Sequence, residues 1–177
     1  WTGKRHPFYS RYSAGFDSDG RIKALEVDIY SDGGWTMDLS HPVLDRALFH
    51  LDNSYYIPEL RFTGRVCHTN LPSNTAFRGF GGPQGVVVIE QVLNRIAQFL
   101  SLDPAVVRKR NYYGAAPRNK APYGQEIILE DNRLERVHSE LFKSSSYNSR
   151  RKDIDKFNTE HQYLKRGIGF QPVKFGI

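Results

Sequence analysis

The stretch Ser73-Asn74-Thr75-Ala76-Phe77-Arg78-Gly79-Phe80-Gly81-Gly82-Pro83-Gln84-Gly85 gathers the residue types best suited to chemistry in this chain. Three glycines within four residues let a backbone pass close to a ligand or to another backbone. Pro83 is placed to open a helix, whose first amides can hold an anion. Arg78 sets a cationic fork beside that point, suited to phosphate or an oxo group. Phe80, held between glycines, can present its ring to a flat ligand. A plainer reading fits the same residues: glycines needed for close packing, Arg78 in a salt bridge, Phe80 in the core. The residues alone leave both readings open. Asn74 and Thr75 suit bonds to nearby backbone that shape the turn. The segment is not a dinucleotide fingerprint, because Gln84 stands where the third glycine belongs, and no Lys-Ser or Lys-Thr makes it a P-loop.

Other constellations are weaker. None of the six histidines forms an HExxH motif. Glu135 and His138 have the spacing of half a di-iron ligand set, but the second half is missing, so a surface pair is expected. Asp17-x-Asp19-Gly20 is too short for a calcium loop and is expected to be a turn. Cys67 and His68 are adjacent and would point to opposite faces of a strand, which leaves Cys67 as a buried structural thiol. No GxSxG elbow is present. Arg46, between Asp45 and Ala47, reads as surface charge on a helix.

The elements that must position these residues are strands and helices that do not alternate as regular βαβ units, so an α+β fold is expected. Residues 8–16 and 22–30 predict a hairpin over the turn at 17–20, with Leu25, Val27 and Ile29 on one face. Gly33-Gly34 ends the second strand, and Ser40 is expected to cap a short helix with Pro42 in its first turn. Residues 61–69 predict a third strand. Val86, Ile89, Leu93, Ile96 and Leu100 mark one face of a helix. Asp103-Pro104 opens another by an N-cap and a proline. Leu134, Val137 and Leu141 mark a further helix, Ile154 and Phe157 one more, and residues 167–177 alternate like a strand. The organisation expected is a first lobe over 1–112, a loop over 113–124, and a helical segment with a returning strand over 125–177.

The chain has 177 residues and a net charge of +6. Residues 1–100 hold 10 basic and 10 acidic side chains, and residues 101–177 hold 15 and 9, so the excess lies in the second part. Its clusters, such as Arg150-Arg151-Lys152, sit beside Asp153, Asp155 and Glu160, which favours solvated helix faces over a nucleic-acid interface. No apolar run reaches the ~20 residues of a membrane span, and no signal peptide is visible. The single cysteine excludes a disulfide within the chain and an iron–sulfur cluster held by it alone, and points to a reducing cytoplasm. The start at Trp1, with Met37 the only methionine, suggests a piece of something longer.

The run from Ser73 to Gln84 resembles a hallmark of the molybdenum hydroxylases, the family of xanthine dehydrogenases and aldehyde oxidases. Thr2-Gly3-Lys4-Arg5-His6-Pro7-Phe8, Asp45-Arg46-Ala47-Leu48-Phe49-His50 and Pro172-Val173-Lys174-Phe175-Gly176-Ile177 fit as well, and Tyr123-Gly124-Gln125-Glu126 is similar to bacterial members. The resemblance implies a fragment of a molybdopterin-binding domain or subunit. The whole enzyme would hydroxylate a purine such as hypoxanthine or xanthine at molybdenum held by molybdopterin. Electrons would pass to 2Fe-2S clusters and FAD in other domains, in a dimer or heterotetramer. By the same resemblance Arg78 would contact the cofactor, Phe80 would pack on the purine and Arg46 would face its carbonyl or nitrogen edge. Arg46 and the uninterrupted Gly81-Gly82 pair resemble the xanthine side of the family rather than the aldehyde oxidases. The neutral first part would hold the site, with the basic part as scaffold. The family's glutamate base lies downstream of the matching segment, and a second glutamate and a glutamine lie upstream. No catalytic residue or metal ligand is therefore assigned, and Glu90, Glu126 and Glu130 are not put in that place. The fragment by itself is expected to bind cofactor poorly and to be inactive. The alternatives are a hydroxylase of aldehydes or other N-heterocycles, and a basic, non-enzymatic module that binds nucleic acid.

Overall fold

The computed structural model describes residues 3–128, 130 and 132–175. Trp1, and Thr2, Gly176 and Ile177 of the resemblance motifs, lie outside them.

Strand β1 (Phe8–Phe16) pairs antiparallel with β2 (Ile22–Gly34), placing Tyr12 opposite Val27. The turn between them is closed by its own aspartate: Asp17 Oδ1 accepts from the amides of Asp19 at 3.1 Å and Arg21 at 2.9 Å. Along β2, Leu25, Val27 and Ile29 are buried and Glu26 is exposed, the alternation of a strand with one wet face. Helix α1 (Ser40–Phe49) then carries the chain over the sheet to β3 (Glu59–His68), which pairs parallel with β2. The sheet order is β1-β2-β3. This one parallel crossover sits within an otherwise mixed α+β fold, completed by α2 (Gly82–Leu100), α3 (Pro104–Asn111), α4 (Leu134–Ser144) and α5 (Tyr147–Glu160).

The core forms where Val27 and Ile29 of the sheet meet Leu44 of α1 and Ile89, Leu93 and Ile96 of α2. Asp103 caps α3 through an Oδ1 that accepts from the Ala105 amide at 2.7 Å. Among the described residues, no single helix is long and apolar enough to cross a membrane.

Four local expectations are corrected. Ser40 does not cap α1. It is the first residue of the helix, the cap position is Leu39 with no side-chain bond, and Ser40 Oγ shares a 2.8 Å hydrogen bond with His6 Nε2. Cys67 is half-buried rather than buried. Residues 167–175 form no strand. The Asn53 side chain supplies strand-like bonds instead, donating from Nδ2 to the Pro172 carbonyl at 2.9 Å and accepting at Oδ1 from the Lys174 amide at 2.9 Å. Finally, α4 does not bury Val137 and Leu141, which are 55% and 46% exposed. It turns His138 inward, so Glu135 and His138 are not a surface pair.

The His138 ring stacks on Phe142 at 4.3 Å, meets Phe170 edge-on at 4.7 Å and shares a 2.9 Å hydrogen bond with the Tyr112 hydroxyl. Burial first, and the Lys109 charge second, push its pKa below the ordinary 6.5, with Glu135 opposing. The unfolded chain takes up a proton near 6.5 that the folded chain resists. Stability from this group is therefore complete above 6.5 and drains as pH falls from there toward the lower folded value. Urea midpoints taken between about pH 7.5 and 5.5 are expected to fall less for His138→Phe, which keeps the ring stack without the proton.

Candidate functional site

Helix α1 has two working faces. Val43, Leu44 and Ala47 are buried toward the core, while Pro42, Asp45, Arg46 and Phe49, with His50 just past the helix end, line a cavity of about 750 Å³. Helical spacing sets this division, since residues three or four apart share a face. Phe80 reaches the same cavity from the glycine turn. The remaining wall comes from Tyr123, Glu126 and Ile128 of one loop and from Lys174 and Phe175 of the C-terminal segment.

Gly79, Phe80 and Gly81 all have positive φ, at 91°, 49° and 96°. A phenylalanine held there is strained, and such strain persists only where its surroundings impose it. The turn is tight: the Phe80 amide donates to the Phe77 carbonyl at 2.7 Å and the Gly82 amide to the Gly79 carbonyl at 2.9 Å. The amides of Gln84 and Gly85 both donate to the Gly81 carbonyl. The first turn of α2 therefore uses its own amides and holds no open anion cradle. The glycines serve another purpose. A Cβ on Gly81 would sit 1.9 Å from the Val43 carbonyl oxygen, and one on Gly85 would sit 2.1 Å from that of Ala47. The start of α2 lies directly on the backbone of α1, and this contact fixes Phe80 relative to Arg46.

Of the three residues singled out from the sequence, the structure brings Arg46 and Phe80 to one cavity and leaves Arg78 off its lining. The Arg78 side chain is exposed, and its carbonyl accepts from Arg5 Nη2 at 2.8 Å. Arg5 lies over the Phe77 ring at 4.5 Å. Beside this stretch Arg5 Nη1, His6 Nδ1 and Gln84 Oε1 are buried with no hydrogen-bond partner among the described residues. Buried polar atoms are normally paired, so donors at Arg5 and the exposed Arg78 fit an anionic oxygen such as a phosphate, and the Gln84 acceptor fits an N–H such as that of a pterin ring. Asn74 does not shape its own turn; it ties the motif to the sheet, donating from Nδ2 to the Asp32 carbonyl at 2.9 Å.

Lys174 and Phe175 were not singled out, and neither was the wall over 123–128. The cavity is not lined by the neutral first part alone, because both segments belong to the basic part. The only signal for them was that both stretches carry the family resemblance. Their spacing shows no pattern of its own. Glu126 lines the cavity, whereas Glu90 lies in the core, paired with Arg108. No cluster of three or more metal-binding side chains occurs among the described residues.

The sequence profile of the molybdopterin cofactor-binding domain matches residues 1–112, and the chain belongs to that family. Its relatives are more particular. It is 46% identical to the xanthine dehydrogenase of Dictyostelium discoideum and 48% identical to the xanthine dehydrogenase/oxidase of Felis catus, over 99% of this chain in each case. It spans 13% of the length of each. Among solved structures it is similar to the aldehyde oxidoreductase of Desulfovibrio desulfuricans, with a TM-score of 0.76 and 26% identity. That match covers 88% of this chain and 17% of the other.

Proposed function

We propose that this chain forms one side of the substrate pocket in a molybdenum hydroxylase that oxidises hypoxanthine or xanthine. The observation that carries the reading is the single cavity to which α1 brings Arg46 and the glycine turn brings Phe80. The xanthine dehydrogenase relatives support it. The unpaired polar atoms of Arg5, His6 and Gln84, with Arg78, would face the molybdenum–molybdopterin group. That group, when bound, supplies oxygen transfer to an electron-poor ring carbon, and 2Fe-2S clusters and FAD elsewhere in the protein take up the electrons. The lone, unpaired thiol of Cys67 suits a cytoplasmic setting for such an enzyme.

The chain's own residues do three things. Phe80 gives the purine an aromatic face and so orients it, a contact worth about 1–3 kcal/mol per base where measured. The guanidinium of Arg46 meets the heteroatom edge, where negative charge grows as the ring is attacked, and stabilises it in place. Phe49, Ile128 and Phe175 add apolar surface to a wall that also carries Asp45, Glu126 and Lys174, and where they shield Arg46 from water they strengthen its interaction.

In the full-length enzyme, Arg46→Met is expected to lower kcat/KM for xanthine by about tenfold or more, since ~1.4 kcal/mol of lost charge stabilisation is tenfold. An aldehyde, which has no such edge, should lose much less. Unchanged xanthine turnover would overturn the role of Arg46. A large loss on the aldehyde with little on xanthine would assign the pocket to aldehydes.

A further inference from the structure

We infer that Phe175 is a positioning residue that aims the Arg46 guanidinium into the cavity, and that the Lys174–Asp52 ion pair holds the strap that carries it. The inference rests on the substrate role proposed above for Arg46.

Arginine is long and flexible, so a helical position alone does not decide where its guanidinium points. Here Arg46 Cζ lies 4.8 Å from the centre of the Phe175 ring, within cation–π range. The ring also meets His50 at 5.6 Å, and His50 Nδ1 shares a 2.9 Å hydrogen bond with the Arg46 carbonyl. One aromatic ring therefore touches both the tip of Arg46 and the helical turn from which Arg46 springs. Phe175 itself is 60% exposed, so core burial does not account for its place.

What holds Phe175 is the backbone immediately before it. The Lys174 amide and the Pro172 carbonyl both bond the Asn53 side chain, each at 2.9 Å. The Lys174 ammonium pairs with Asp52, a carboxylate only 2% exposed, and donates to the Tyr123 hydroxyl at 3.2 Å. Tyr113 donates to the same Asp52 oxygen at 2.6 Å. Asp52 and Asn53 follow the end of α1 by a few residues. The contacts thus close a circuit: α1 presents Arg46, the segment after α1 grips the strap, and the strap returns Phe175 to Arg46. A strap anchored there moves with α1, so the direction of the guanidinium is kept even when neighbouring segments shift.

The test is a double-mutant cycle in the full-length holoenzyme, with Phe175→Ala, Arg46→Met, the pair together, and Phe175→Tyr. Phe175→Ala is expected to lower kcat/KM for xanthine about three- to tenfold, the range of a partly desolvated cation–π contact, and Phe175→Tyr to restore it. In the Arg46→Met background, Phe175→Ala should cost nothing further. Calorimetric titration with urate reads the same coupling in binding, independently of turnover. Equal losses from Phe175→Ala in both backgrounds, or no loss in either, overturn the positioning role while the purine reading of Arg46 stands. An Arg46→Met enzyme with wild-type xanthine kinetics and urate affinity removes that reading, and the positioning role with it. Molybdenum content and circular dichroism check that each variant is folded and loaded.

Discussion

Arg108→Met is expected to destabilise the fold by about 3–5 kcal/mol, because it strands a buried carboxylate. Arg108 and Glu90 are 3% and 6% exposed at their side chains, and Arg108 Nε donates to Glu90 Oε2 at 2.6 Å. The rest of the network is also satisfied. Glu90 Oε1 accepts from the Tyr55 hydroxyl at 2.6 Å and Asn53 Nδ2 at 3.0 Å, and Arg108 Nη2 donates to Asn94 Oδ1 at 2.8 Å. Burial and the Glu90 charge push the Tyr55 hydroxyl far above its ordinary pKa, so it stays a donor at every accessible pH. With Arg108 gone, those two donors must carry the carboxylate alone. Hydrogen exchange of the amides around Ile89 and Leu93, followed by mass spectrometry in the intact protein, should lose protection by about a hundredfold or more. Glu90→Leu combined with Arg108→Met should recover part of the loss, since two apolar side chains leave no buried charge, though Tyr55 and Asn53 then lack an acceptor. Equal protection in Arg108→Met and wild type would show that water reaches Glu90. Asn53 also grips the strap, so the core variant is expected to loosen Phe175 as well.

The same network marks the limit of what the sequence discloses. Local signals were legible where they depend on neighbours in the chain: the Asp17 turn, the alternation along β2, the Asp103 cap, and the buried positions Ile89, Leu93 and Ile96. Contacts between distant segments were not. Nothing in the apolar period of α2 says that Glu90 enters the core, because its partner lies on another helix. The face that α4 buries is chosen by the aromatic rings of Phe170 and Tyr112, which favour His138 over the more apolar Val137. The parallel pairing of β2 with β3 depends on the path of α1 over the sheet. The site divides in the same way. Arg46 and Phe80 lie in long motifs with a family resemblance; Lys174 and Phe175 lie in such a motif too, but the wall they make exists only once Asn53 has captured the strap. The glycine turn allowed two readings, and the structure shows that Gly81 and Gly85 serve close packing against α1, with Phe80 lining the cavity.

Gly85→Ala is expected to damage stability and turnover together, although alanine is the better helix former by about 1 kcal/mol. The added Cβ would lie 2.1 Å from the Ala47 carbonyl oxygen, and that atom belongs to a backbone that cannot rotate aside. Relief requires α1 and α2 to separate by more than an ångström, and overpacking of this kind costs about 1–3 kcal/mol, occasionally more. The separation falls between Arg46 and Phe80, because Ala47 neighbours Arg46 on α1 and Gly85 follows Phe80 in the turn and first helical residues of α2. A displacement of about 1 Å between groups that must hold a reacting ring costs on the order of a hundredfold in rate. The kcat/KM of the full-length Gly85→Ala enzyme for xanthine should therefore fall much further than its thermal stability alone implies. Gly114→Ala, with nothing within 4 Å of the new methyl group, is the matched control and should change neither. Loss of stability without loss of turnover would mean that α1 and the glycine turn move as one body. The close contact would then support the fold without setting the distance between Arg46 and Phe80.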